Sequence, residues 1–79
     1  MTRNRKVYHV RYDPAEEAWV VRDEADAEPA ASYSTKREAV SIARGWAHGN
    51  APSQLIIYRQ DGQVEEELTY GDDPSMYPS

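Results

Sequence analysis

A chain of 79 residues with no cysteine and a net charge of −5 has room for one small domain, and no disulfide framework or thiolate metal site can staple it. The acidic balance argues against a simple nucleic-acid binder, which needs an excess of Lys and Arg on at least one surface. Residues 1–6 are polar and basic with no apolar run behind them, and no later stretch has the length of a bilayer span. No signal peptide or membrane span is therefore expected, and the cytoplasm is the expected compartment.

Charge alternates along the chain. Residues 1–12 hold Arg3, Arg5, Lys6 and Arg11 and no acid, whereas residues 13–34 set seven carboxylates against Arg22 alone. Residues 35–50 return to +2, and from residue 51 six acids face only Arg59.

In chain order, residues 6–12 alternate with period two, placing Tyr8, Val10 and Tyr12 on one face and Val7, His9 and Arg11 on the other, the pattern of a half-buried strand. Pro14 among carboxylates marks a turn, and residues 18–23 read as a second strand with Trp19 and Val21 inward, completing a hairpin. The acidic, Ala-rich stretch 23–31, broken by Pro29, reads as an exposed loop. Residues 31–34 offer a short edge strand with Tyr33 inward.

Thr35 and Glu38 stand at capping-box spacing, so a helix is predicted over residues 36–48. Ala39, Ile42, Ala43 and Trp46 recur at helical spacing and form its expected core stripe, widened by Val40 and Ala47, while Gly49, Asn50 and Pro52 supply the stop. Residues 54–59 form the next strand. Asp61-Gly62 reads as a two-residue hairpin turn into residues 64–70, which pairs Arg59 with Val64 and Leu55 with Leu68. Leu55, Ile57, Val64, Leu68 and Tyr70 then share the core face, and Ile56, Tyr58, Glu65 and Glu67 the other. The expected fold is α+β, an antiparallel sheet of four or five strands with one helix on one face. Residues 1–70 form the domain, and 71–79 a flexible, acidic, proline-containing tail.

The segments Lys6-Val7-Tyr8-His9-Val10, Trp19-Val20-Val21, Ser34-Thr35-Lys36-Arg37-Glu38-Ala39-Val40, Asp61-Gly62-Gln63-Val64 and Leu68-Thr69-Tyr70-Gly71, in this order and spacing, resemble the small YdaT-like domains of unknown function. The resemblance covers nearly all of residues 6–74 and implies a compact hairpin, helix and hairpin. It implies no activity, cofactor or catalytic residue, and the acidic insert 23–29 departs from the usual pattern.

No catalytic constellation stands out. The imidazoles are His9, on the outward face of the first strand, and His48, at the helix end, and no phosphate loop, nucleophile elbow or zinc-protease helix is present. Glu65, Glu66 and Glu67 alternate in direction along a strand and do not make a cation cage. No catalytic, cofactor or metal residue is therefore assigned, and the chain reads as a non-enzymatic protein-interaction module. Its expected partner is a protein, in the first place a second copy meeting it through a face carrying Val7, His9, Ile56 and Tyr58. The alternative is a nucleic-acid accessory protein that meets a polyanion through Arg3, Arg5 and Lys6 of the basic arm with Arg37 and Arg44 of the outward helix stripe.

Overall fold

The computed structural model describes residues 6–26 and 29–71. Arg3 and Arg5 of the basic arm, and the tail beyond Gly71, lie outside the described residues. Five strands and one helix follow one another as β1 (Lys6–Asp13), β2 (Ala18–Asp23), β3 (Ala31–Tyr33), α1 (Lys36–Gly49), β4 (Ser53–Tyr58) and β5 (Val64–Tyr70). They form one sheet in the order β3-β2-β1-β4-β5. Among the described residues no helix is long and apolar enough to cross a membrane.

The sheet is mixed, which corrects the antiparallel expectation. β1 pairs antiparallel with β2, β2 with β3 and β4 with β5, but β1 and β4 run parallel, His9 opposite Ile56 and Val10 opposite Ile57. The cause is the helix. β3 runs in the direction of β1, and α1 carries the chain back to the sheet end where β1 began, so β4 enters alongside β1 with the same polarity. Two hairpins read separately do not reveal the direction of the strand pair that joins them.

Each turn has its own chemistry. After β1, Asp13 accepts from the backbone N–H of Ala15 at 3.0 Å and of Glu16 at 3.4 Å, and Glu17 closes the turn at φ 53°, in the left-handed region. Thr35 caps α1 by accepting from the Glu38 N–H at 3.1 Å. The Glu38 carboxylate accepts from the Thr35 and Ser34 hydroxyls. Asn50 ends the helix, its backbone N–H and side-chain amide both donating to the Trp46 carbonyl.

The core gathers Tyr8, Val10, Trp19, Val21, Leu55 and Ile57 from the sheet beneath Ala39, Ala43 and Ala47 of the helix. Alanine at every fourth position brings the helix backbone close to the sheet, and larger rings fill the margins. Trp46 is half-buried, its ring tilted against Tyr8 at 6.2 Å, and Tyr12 packs on Trp19 at 5.3 Å. Ile42, expected in the core stripe, is 37% exposed. At about 100° per residue it sits well round the helix from Ala43, beyond the sheet-facing arc and beside Tyr33.

The second hairpin also departs from the expected register. Arg59 N–H donates to the Gln63 carbonyl at 2.7 Å, so three residues, Gln60, Asp61 and Gly62, make the loop, with Gly62 at φ 96°. A three-residue loop with glycine at its left-handed position is the next most common hairpin connection after the two-residue turn. Tyr58 therefore pairs with Val64, while Ile57 pairs with Glu66 and Leu55 with Leu68 as expected. The residue left over is Glu65, and this bulge restores the original register. Val64, expected inward, is consequently 49% exposed, and Glu65, expected beside Glu67 on the open face, turns to the helix side and bonds Lys36.

Candidate functional site

The helix packs across β1, β2, β3 and β4, and among the described residues no element covers the opposite side of the sheet. Alternation along β1 and β4 sends Val7, His9, Arg11, Ile56 and Tyr58 to that open side. Because the two strands are parallel neighbours with His9 opposite Ile56, Val7, His9, Ile56 and Tyr58 form one continuous, half-buried surface.

A polar chain crosses its centre. His9 Nε2 lies 2.8 Å from Glu24 Oε1, and His9 Nδ1 lies 2.9 Å from the Tyr58 hydroxyl. A carboxylate only accepts, so Nε2 donates to Glu24, and in the neutral ring Nδ1 accepts from the Tyr58 O–H. The imidazole also stacks beside the phenol ring at 5.7 Å, and the Arg11 guanidinium lies 4.6 Å over that ring. Glu24 is held where β2 ends, its backbone N–H donating to the Val7 carbonyl at 2.8 Å. These contacts fix four side chains from three parts of the chain.

Charges on the open side are unevenly placed. Arg22 of β2 and Arg11 of β1 stand on one half together with Glu24, which His9 engages, the outward residues of β4 are neutral, and Glu67 of β5 stands on the other half, accepting from the Gln54 amide at 3.1 Å.

Lys6 lies at the margin and is engaged. Its ammonium donates to Asp23 at 2.7 Å, and Asp23 also accepts from the Ala25 N–H at 3.0 Å. The hydrogen bond from Lys6, then that from Ala25, holds the Asp23 carboxyl below its ordinary range against the opposing effect of its burial. The same bond to Asp23, with the charge of that carboxylate, holds the Lys6 ammonium above its own. Arg37 and Arg44 lie on the other side of the molecule, along a cleft of about 610 Å³ between α1 and β5. The structure thus brings Val7, His9, Ile56 and Tyr58 together, whereas Lys6, held by Asp23 at the start of β1, takes no part in the cleft that Arg37 and Arg44 line.

Sequence reasoning missed Arg11 and Glu24 as members of the His9–Tyr58 cluster. Period-two alternation does place Arg11 on the same face as His9, and that signal was available. Glu24 lies in a loop, where no periodicity assigns a direction.

Residues 8–70 match the model of the family DUF2188, described as an uncharacterized protein conserved in bacteria. The uncharacterized protein YycD of Bacillus subtilis (strain 168) is 35% identical over 65 residues, an alignment that covers 82% of this chain and 97% of the relative. No solved structure matches the chain. A domain family of uncharacterised function is thus established by a match that does not carry the YdaT-like name.

Proposed function

The chain belongs to the DUF2188 family of conserved bacterial proteins, and we propose that it is a non-enzymatic, cytoplasmic protein-interaction module that associates with a second copy of itself through the open face of its sheet. The kinship with YdaT-like domains is part of this reading and rests on the shared order of hairpin, helix and hairpin segments. The observation that carries the proposal is the continuous patch of Val7, His9, Ile56 and Tyr58 on a sheet side that no element covers among the described residues.

Charge placement makes the patch self-complementary. A two-fold axis running along the strands between β1 and β4 lays β1 over the partner's β4 and β2 over the partner's β5. By the pairing register Arg22 then lies over the partner's Glu67 with Arg11 diagonal to it, Ile56 lies over the partner's His9, and Tyr58 lies over the partner's Arg11. The bulge turns Glu65 to the helix side, which leaves Glu67 as the carboxylate of β5 on this face to meet those arginines. The hollow beside His9 measures about 180 Å³, below the usual size of a pocket that encloses a small substrate, which favours a contact surface over a reaction centre.

Charge exchange tests the proposal. Arg11→Glu alone and Glu67→Arg alone should each weaken the dimer at least tenfold in sedimentation equilibrium, and the double exchange should restore it. A wild-type mass of 9.0 kDa at every concentration, or a double variant no better than the singles, overturns it.

One observation favours a second reading, a nucleic-acid accessory role. Tyr58 lies on an open sheet between a guanidinium and an imidazole, a setting in which bases stack. Against it, Arg11 already covers the ring, and Arg37 and Arg44 lie beyond the sheet. Labelled single-stranded RNA and DNA decide: binding that weakens steeply with salt and is lost in Tyr58→Ala supports this reading, and no binding at low salt removes it.

A further inference from the structure

The cleft between α1 and β5 is a second, separate surface. β5 is the last strand of the sheet, seven residues long, with pairing to β4 on one side and none on the other among the described residues. The helix rests mainly on the other four strands and meets β5 near its two ends, where Lys36 bonds Glu65 and the His48 ring meets Tyr70 edge-on at 6.2 Å. Between α1 and β5 lies the cleft of about 610 Å³, floored by Val40 and Ile57. One wall is basic, Arg37, Ser41 and Arg44 following one another at helical spacing along an exposed stripe. The other is the edge strand, with Glu66 on the helix side.

Charge is already balanced at one end of the cleft, where Lys36 and Glu65 bond each other. Arg37 and Arg44 form no ion pair among the described residues. With Glu66 as the one remaining carboxylate, the cleft holds an excess of one positive charge. An unpaired strand edge presents backbone N–H and C=O groups that another strand completes, and a groove between such an edge and a helix receives every second side chain of the added strand.

We infer that this cleft binds an extended segment of another protein, added as a sixth strand beside β5, with an Asp or Glu at a helix-facing position held by Arg37 and Arg44. A second copy of β5 is a poor occupant, because it would set Glu65, Glu66 and Glu67 against their own counterparts. An alternating segment sets its acids toward α1, where Arg37 and Arg44 offset Glu66 and Lys36 already offsets Glu65, and its neutral or basic residues beside Glu67. This surface lies on the helix side of the sheet, so its fate is independent of the self-association proposed above.

The test uses the full chain, isotopically labelled, titrated with a synthetic peptide of four Thr-Glu repeats. The expected result is saturable binding that shifts the β5 amides together with the Arg37 and Arg44 signals. Arg37→Glu combined with Arg44→Glu should weaken binding at least tenfold while leaving the thermal midpoint nearly unchanged, since both side chains are exposed. The same peptide with alternate backbone amides methylated should not bind, because strand pairing is lost. Three results would each overturn the inference: equal binding by four Thr-Lys repeats, undiminished binding by the methylated peptide, or no shift at millimolar peptide. Inorganic phosphate, as a plain anion, should shift Arg37 and Arg44 without the β5 amides, and shifts across β5 with phosphate alone would also count against it.

Discussion

β2 and β5 are each the second strand of a hairpin, and they differ in almost everything else. β2 lies inside the sheet between β3 and β1, with Trp19, Val20, Val21 and Asp23 buried, whereas β5 lies at the edge with Leu68 and Tyr70 half-buried and the rest exposed. One helix of 14 residues accounts for much of the contrast by burying Trp19 and Val21, whereas Val20 turns to the opposite side of the sheet beside Arg11. The helix lies mainly over the other four strands and touches the fifth near its ends, through Lys36 on Glu65 and His48 on Tyr70. The residues agree with this division. β2 carries the aromatic and branched side chains that a covered strand requires, and β5 carries three glutamates, which suit a wet edge and oppose self-pairing.

The largest expected effect breaks this contrast at its centre. Leu55 of β4 is fully buried beneath the helix, so Leu55→Ala should cost about 2–5 kcal/mol. Leu68, its cross-strand partner on β5, is half-buried, and Leu68→Ala should cost less than half as much. Urea unfolding of the two variants compares them directly, and equal losses would mean that the helix covers β5 as well.

Next in size is the Lys6–Asp23 pair that fastens the start of β1 to the end of β2. Asp23→Asn should cost about 1–3 kcal/mol near neutral pH, since it weakens hydrogen bonds to a charged group. The sign of its pH dependence follows from the two shifts. A carboxyl held low in the folded state contributes fully above its unfolded value, roughly pH 4, and the contribution disappears as pH falls through the folded value. An ammonium held high contributes fully below its own unfolded value, roughly pH 10.4, and loses this as pH rises through the folded value. The gap in thermal midpoint between wild type and Asp23→Asn should therefore be widest between these limits and close toward both. A gap that stays constant into acid would separate the stability effect from the charge of Asp23.

Smaller again is Ser53→Ala. This fully buried hydroxyl donates to the Ala47 carbonyl, joining the helix end to β4, and its loss should cost about 1 kcal/mol.

The smallest effects run the other way, at two backbone positions. Gly45 has open space where a Cβ would stand, so Gly45→Ala should stabilise α1 by up to about 1 kcal/mol. Glu17 occupies the left-handed region, and Glu17→Gly should gain a similar amount, about 1 kcal/mol. Thermal melts of both variants should rise, and a fall in either would point to a contact of that side chain or backbone beyond those described.

Much of this fold is legible in the residues. Alternation along β1 and β2 gives their inward faces, Thr35 and Asn50 bound the helix, and Leu55 meets Leu68 as expected. What is not legible depends on geometry between segments. The parallel β1–β4 pairing follows from the return path of the helix, which no local pattern encodes. A sequence containing Asp61-Gly62 suits both a two-residue and a three-residue loop, and the choice between them sends Val64 outward and Glu65 toward Lys36. The open face was legible as a set of outward residues, because period two assigns Val7, His9, Ile56 and Tyr58 without a structure. Its polar centre was not, since Glu24 reaches His9 from a loop. In the cleft, Glu66 keeps the helix-side direction that alternation gives it, and Glu65 joins it only through the register shift.

The central claim is that the uncovered side of the sheet is the self-association surface. Dilution of isotopically labelled protein from millimolar to low micromolar, followed by NMR, reads it residue by residue. Concentration-dependent shifts are expected at Val7, His9, Arg11, Ile56, Tyr58 and Glu67, with Arg37 and Arg44 on the far side unmoved. Shifts confined to the helix and β5, or spectra that do not change with concentration, would contradict it.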